Sequence, residues 1–171
     1  MATQRKAKTF SKKAQYSVRK ENSLRYEDIS ELMLTTDPWK KMGFKEKDVE
    51  AIIKNSKLKD TFVIYEKLNG GKKNFAGFAL LVPGFLGGFY LNLLAVKSQY
   101  RGQGLGEILM KHCEDYVFAR SNNFYLCVSS FNKGGEKFYR RLGFKKVGTL
   151  KELVIKNNDE YFYRKTIGPW R

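Results

Sequence analysis

Arg101-Gly102-Gln103-Gly104-Leu105-Gly106 is the segment of this chain whose residue types point most directly to ligand chemistry. Glycines lack a Cβ and let a backbone approach a ligand closely, and the first amides of a helix point outward with the positive end of its dipole. A diphosphate fits such a loop. A structural turn or another nucleotide site would give the same string, so the spacing alone fixes no ligand. The loop has neither the Gly-x-x-x-x-Gly-Lys-Ser/Thr pattern of a P-loop nor the Gly-x-Gly-x-x-Gly pattern of dinucleotide folds.

Cysteine and histidine offer less. Cys127 sits in an apolar strand-like run with no Cys/His/Asp order around it, and a buried strand cysteine is normally an inert small hydrophobe. His112, the only histidine, falls on an apolar helical stripe, which favours a packed, hydrogen-bonded role over proton transfer. With one histidine and two separated cysteines, Cys113 and Cys127, no zinc-ligand spacing is present and no metal site is expected.

The glycine loop needs a strand before it and a helix after it. Residues 75–96 carry no charge and are long enough to suggest a membrane span, but Pro83, Gly84, Gly87 and Gly88 divide them into Phe75–Val82 and Phe89–Val96. Two buried strands joined by a turn fit better than a span. After the loop, Leu105–Ser121 reads as a long helix with Leu105, Ile108, Leu109, His112 and Tyr116 on one stripe. Upstream, a strand at Tyr16–Lys20 precedes helices at Tyr26–Leu34 and Glu46–Asn55, and a strand at Thr61–Glu66 ends in the turn Asn69-Gly70-Gly71. Downstream come a strand at Phe124–Val128, a helix at Gly134–Leu142, and strands at Lys145–Ile155 and Tyr161–Thr166.

A length of 171 residues suits one domain, and 42% apolar with 15% aromatic residues excludes a disordered chain. The net charge of +16 implies attraction to polyanions such as RNA, acidic proteins or anionic lipid without establishing nucleic-acid binding. A lysine-rich solvated surface, or one basic pocket for a phosphorylated cofactor, accounts for the same charge. Residues 1–14 are expected to form a basic, mobile arm. An organelle transit peptide would share its charge but prefers Arg to Lys. With no secretory signal and no pairing expected for the cysteines, a cytoplasmic protein is the simpler expectation.

Arg101, Gly104 and Gly106 resemble the Gln/Arg-x-x-Gly-x-Gly/Ala signature of the Gcn5-related N-acetyltransferases, the GNAT family. Val128-Ser129-Ser130-Phe131-Asn132 followed by Phe138-Tyr139-Arg140-Arg141-Leu142-Gly143-Phe144 looks like that family's Asn and Phe-Tyr-x-x-x-Gly-Phe. The order of elements matches from about Tyr16 to the end. The resemblance implies an α/β (α+β) domain over 15–171 with the acyl-CoA N-acyltransferase fold. Its sheet would be mixed, mostly antiparallel, of about six to seven strands with about four helices around it. It also implies acetyl-coenzyme A as donor and direct attack by a primary amine in a ternary complex.

The residues it implies follow the motifs. Leu94, Ala95 and Val96 would bind the pantetheine arm and orient the acetyl carbonyl through their backbone. Arg101, Gly102, Gln103, Gly104, Leu105 and Gly106 would hold the diphosphate, Asn132 would contact the cofactor arm, and Tyr139 would stand beside the thioester sulfur as general acid. A thiolate whose conjugate acid has a pKa of about 8.5 leaves more readily when a hydroxyl protonates it.

The base departs from the pattern. An amine of pKa about 10.4 must lose a proton before it attacks. In members that acetylate protein N-termini a glutamate can stand on the strand before the Asn, and the corresponding place here is Cys127. A water chain remains, or a carboxylate from Asp37, Asp159 or Glu160 on the loops flanking the acceptor site, where solvation is their ordinary role. The loop Thr35–Phe44, with Pro38, Trp39 and Phe44, is expected to wall that site, although Trp39 reads equally as a core cap. Peptide N-terminus, lysine, polyamine and small amine all stay open as acceptors, and oligomeric state is unspecified. A second class of function is a GNAT-like module that senses acyl-coenzyme A, or docks on RNA or ribosome, without catalysis. The missing carboxylate at Cys127 and the basic arm point to it.

Overall fold

Aromatic, β-branched and leucine-rich runs form one seven-stranded sheet in the computed structural model, which describes residues 15–56 and 59–170. The basic arm 1–14 lies outside the described residues. The strands are β1 (Tyr16–Glu21), β2 (Asp60–Lys67), β3 (Lys73–Phe85), β4 (Gly88–Val96), β5 (Asn123–Ser129), β6 (Lys145–Leu150) and β7 (Glu160–Thr166). They lie in the order β1-β2-β3-β4-β5-β7-β6, antiparallel except where β4 meets β5. Among the described residues four α-helices accompany them: α1 (Tyr26–Thr35), α2 (Glu46–Ser56), α3 (Leu105–Phe118) and α4 (Lys133–Arg141). This is the mixed, mostly antiparallel sheet with four helices that the sequence leads one to expect. Among the described residues no helix is long and apolar enough to cross a membrane.

Each face of the sheet buries its own core. On one side Leu105, Leu109, Met110, Cys113 and Val117 of α3 pack with Phe62, Leu91, Phe124 and Leu126. On the other, Ile29, Leu32, Met33 and Val49 of α1 and α2 cover Val63, Phe78 and Leu80. The buried stripe of α3 therefore runs through Met110 and Cys113, one position round from the expected one, and His112 is exposed rather than packed. The polar imidazole stays in water while the cysteine takes the core position.

Two strand limits also differ from expectation. β3 continues through Pro83 to Phe85, and the chain turns at Leu86-Gly87. Proline is tolerated because its missing N–H falls at a register shift between Pro83 and Phe85. β6 ends at Leu150, and 151–159 form a loop with positive φ at Glu152 and Asn157, which no regular ladder accommodates.

The parallel pair β4–β5 is short. It joins Phe89 to Phe124, Tyr90 to Tyr125 and Leu91 to Leu126. Beyond these, β4 follows β3 as far as the pairing of Val96 with Gly77, while β5 follows β7 to the pairing of Ser129 with Glu160. A bulge at Asn92 changes the alternation of β4, since Leu81 pairs with Leu91 but Leu80 pairs with Leu93. Phe89 and Leu91 face α3, whereas Leu93 and Ala95 pack on the α1–α2 side.

The join itself depends on a close backbone approach at Gly88, where an added Cβ would stand 2.3 Å from the carbonyl oxygen of Asn123. Because a backbone atom is met, the strands must separate to admit it. We expect Gly88→Ala to lower stability by about 1–3 kcal/mol, the usual cost of overpacking, seen as a lower urea midpoint at unchanged slope.

Candidate active site

The diverging ends of β4 and β5 leave a cleft of two connected halves. One, of about 410 Å³, is lined by Leu94, Ala95, Val96, Arg101, Asn132 and Tyr139 together with Gly134, Gly135 and Phe138. The other, of about 240 Å³, lies over Tyr90, Cys127, Ser129 and Glu160 and is walled by Trp39, Met42 and Phe44. Pro38, Trp39, Leu94, Asn132 and Tyr139 line both. The expected residues 94–96, 101, 132 and 139 thus meet in one place although they come from a strand, a loop and a helix.

The glycine loop offers its main chain rather than its side chains. Gly102 and Gly104 have φ of 71° and 86°, in the left-handed region, and Gly104 is the N-cap of α3. No side chain caps that helix, so its first amides remain for another acceptor. The side chains of the loop are engaged elsewhere. Gln103 accepts from the Tyr16 hydroxyl at 3.0 Å and donates to the Gln99 carbonyl at 3.0 Å. Leu105 is buried in the core, and a Cβ at Gly106 would approach the Phe138 ring to 3.2 Å. Arg101 donates through Nε to the Val96 carbonyl at 3.1 Å, tying the loop to the free end of β4.

Asn132 has two tasks available. It is the N-cap of α4, its Oδ1 accepting from the Gly135 amide at 2.9 Å, and its Nδ2 remains the donor of a side chain lining both halves. Seven residues on, two helical turns, Tyr139 lies on the same side of α4. Its ring stands 5.1 Å from that of Phe138 and 6.0 Å from that of Phe144. Burial pushes the Tyr139 phenol well above its ordinary pKa, so it keeps its proton throughout the neutral range.

The half over Tyr90, Cys127, Ser129 and Glu160, called the acceptor half after the sequence expectation as the other is called the cofactor half, is built by strand register. Phe124, Leu126 and Val128 of β5 turn into the α3 core, which leaves Tyr125, Cys127 and Ser129 on the opposite face. Ser129 pairs with Glu160, so that carboxylate belongs to the same face. Glu160 is not a solvated loop residue as its sequence context suggests. It opens β7, is 3% exposed, and its Oε1 has no hydrogen-bond partner. Burial raises its pKa, with the Ser129 hydroxyl acting in the other direction. Asp159 instead pairs with Lys151 at 2.8 Å, which holds its carboxyl below the usual range, and Asp37 is an exposed residue at the cofactor half. Of the three expected carboxylates, Glu160 alone reaches the acceptor half.

Tyr90 was not singled out by sequence. Strand alternation carries the signal, because turning Phe89 and Leu91 toward α3 leaves Tyr90 on the cleft side with Cys127. Burial and the adjacent Cys127 raise its pKa, and burial likewise raises that of the Cys127 thiol. Both expectations for Trp39 hold, since it is buried in the α1–α2 core and also lines the cleft.

Residues 26–144 match the model of the acetyltransferase (GNAT) family. The chain belongs to that family. Its reaction class is acetyl transfer from acetyl-coenzyme A to an amine. No curated protein matches the sequence significantly. Among solved structures, this GNAT protein resembles one of Desulfovibrio desulfuricans assigned to the family, at TM-score 0.71 and 18% identity over 90% of this chain and 99% of that one. It resembles the Escherichia coli ribosomal-protein-S18-alanine N-acetyltransferase at TM-score 0.67 and 20% identity, over 90% and 95% of the two chains. An aminoglycoside 6'-N-acetyltransferase complexed with coenzyme A superposes at TM-score 0.65 and 18% identity, over 90% and 98%. At such identities the likeness is one of fold, and the acceptors named differ widely.

The two tasks of Asn132 can be separated by substitution. Asn132→Asp keeps an oxygen for the Gly135 amide but loses the Nδ2 donor, whereas Asn132→Ala loses both. We expect a loss of about 1 kcal/mol of stability in the alanine variant only, and a raised KM for acetyl-coenzyme A in both, by thermal melts and steady-state kinetics.

Proposed function

We propose that this acetyltransferase holds acetyl-coenzyme A and a primary amine together and transfers the acetyl group directly, with Tyr139 as acid and Glu160 as base. The observation carrying this reading is that Glu160, whose Oε1 has no partner, lines the same chamber as Tyr139, which also lines the cofactor half. The amides of 102–106, with Arg101, hold the diphosphate. The unpaired end of β4 at Leu94–Val96 holds the pantetheine arm and the acetyl carbonyl, and the Asn132 amide contacts that arm.

The chemistry then follows from proton affinities. An ammonium enters beside Glu160, whose pKa is raised toward that of the amine and so accepts a proton more readily than a solvated carboxylate would. The neutral amine attacks the carbonyl carbon, the new C–N bond forms, and the C–S bond breaks. Tyr139 delivers a proton to the departing sulfur and regains one from the nitrogen, which sheds its second proton on becoming an amide, while Glu160 holds the first until solvent takes it. Holding both reactants in place supplies much of the rate.

The non-catalytic module loses one of its two supports, because Glu160 on the neighbouring strand offers the carboxylate missing at Cys127. We place the catalytic domain at 15–171 behind the basic arm 1–14. Both described cysteines are unpaired, which supports a cytoplasmic location.

Tyr139→Phe should lower kcat by about 10²–10⁴ with little change in the Kd of acetyl-coenzyme A, by thiol release and calorimetry; undiminished turnover would remove Tyr139 from the acid role. Glu160 must be ionised to act, so kcat/KM should rise with pH through its raised pKa, above the usual carboxylate value of about 4.3. In Glu160→Gln that acidic limb should vanish and activity at neutral pH should fall by at least about 10²; a variant keeping the limb would exclude Glu160.

A further inference from the structure

We infer that the acceptor is a singly charged primary amine with an apolar group close to its nitrogen, as opposed to a polyamine or a polycationic sugar. This rests on the transfer reading above and names its second substrate. Among the described residues Glu160 is the one carboxylate lining the acceptor chamber, and its Oε1 lacks a partner within the fold. One ammonium beside Glu160 balances the single negative charge of the chamber. A second ammonium on the same molecule would find no further acid in the chamber, and a chain of net charge +16 disfavours its approach.

The walls select in the same direction. Met42 and Phe44 come from the α1–α2 loop, and Leu153 and Val154 from the loop between β6 and β7. Leu153 and Val154 are 57% and 50% exposed, apolar side chains that neither core takes up. An apolar group beside the reacting nitrogen would cover them and leave water in doing so. Size agrees as well. A cavity of about 150 Å³ accepts benzene, so a chamber of about 240 Å³ accommodates an amine with one such substituent.

This chemistry exists in two forms, a free alkyl- or arylalkylamine and the amino terminus of a peptide whose first side chain is apolar. The test is thiol release from acetyl-coenzyme A by the full chain. Its panel is propylamine to hexylamine, 2-phenylethylamine, short peptides beginning with Leu, Met, Asp or Lys, spermidine and kanamycin. The apolar amines or the Leu and Met peptides should lead spermidine and kanamycin by at least about tenfold in kcat/KM, with roughly fourfold gained per buried methylene. Whichever of the two groups leads identifies the source. The exposed pair replaced together, Leu153→Ser with Val154→Ser, should flatten the alkylamine series while the KM for acetyl-coenzyme A holds. Preference for spermidine, kanamycin or the Asp and Lys peptides, or a flat series in the unaltered chain, would overturn this inference and leave the transfer reading standing. Release by no amine would overturn both.

Discussion

The join between β4 and β5 holds for three residue pairs and then lets go, and the rest of the molecule is arranged around that release. Each strand has a stronger obligation on its other side, β4 to β3 and β5 to β7, so the two halves of the sheet diverge as their twists separate. A strand edge without a partner normally invites aggregation or must be covered. Here the edge of β4 beyond Leu91 faces a cleft. One of its carbonyls, that of Val96, is taken by Arg101 from the glycine loop, which ties the phosphate-sized site to the strand that would carry the reacting group. The Asn92 bulge sets which side chains accompany it, turning Leu93 and Ala95 to the α1–α2 side at the point where the cleft begins.

Within the cleft the electrostatics are sparse. Burial keeps both phenols, Tyr90 and Tyr139, and the Cys127 thiol in their neutral forms, so Glu160 is the residue that carries or sheds charge at the acceptor half. Leaving a carboxylate oxygen buried without a donor costs stability, and folds retain such groups chiefly where a ligand completes them. The surface of the chain is strongly basic while this chamber holds a single acid. Anions and cations are thereby favoured at different parts of the same molecule.

Much of the cofactor half was legible in sequence because its demands are local. A left-handed helix start needs Gly104, the close approach of Phe138 favours a small residue at 106, and the cap of α4 needs a short acceptor at 132. Such requirements leave fixed spacings. The acceptor half was not legible in the same way. Glu160 becomes a site residue only through pairing with Ser129, more than thirty positions earlier, and a start of β7 one residue later would leave it as an ordinary loop acid. Tyr90 depends on strand alternation relative to a core that the sequence does not locate. His112 shows the same limit in a helix, since a rotation of one position exchanges it with Cys113 at the core face.

This difference between the halves bears on how the site can diversify. The cofactor half draws mainly on 94–101 and 132–139, elements packed against α3 and the sheet, and adds Asp37, Pro38 and Trp39 from the loop between α1 and α2. The acceptor half draws much of its wall from two loops, 36–45 and 151–159, which belong to neither sheet nor helix. Loop residues can change at small cost to stability, so acceptor preference is free to drift while donor binding stays fixed. The separation is not complete. The ammonium of Lys41, on the first loop, lies 4.4 Å from the centre of the Phe131 ring, and Phe131 immediately precedes the cap residue Asn132. A change at Lys41 would therefore be met at Phe131, beside the start of α4, the helix that carries Tyr139.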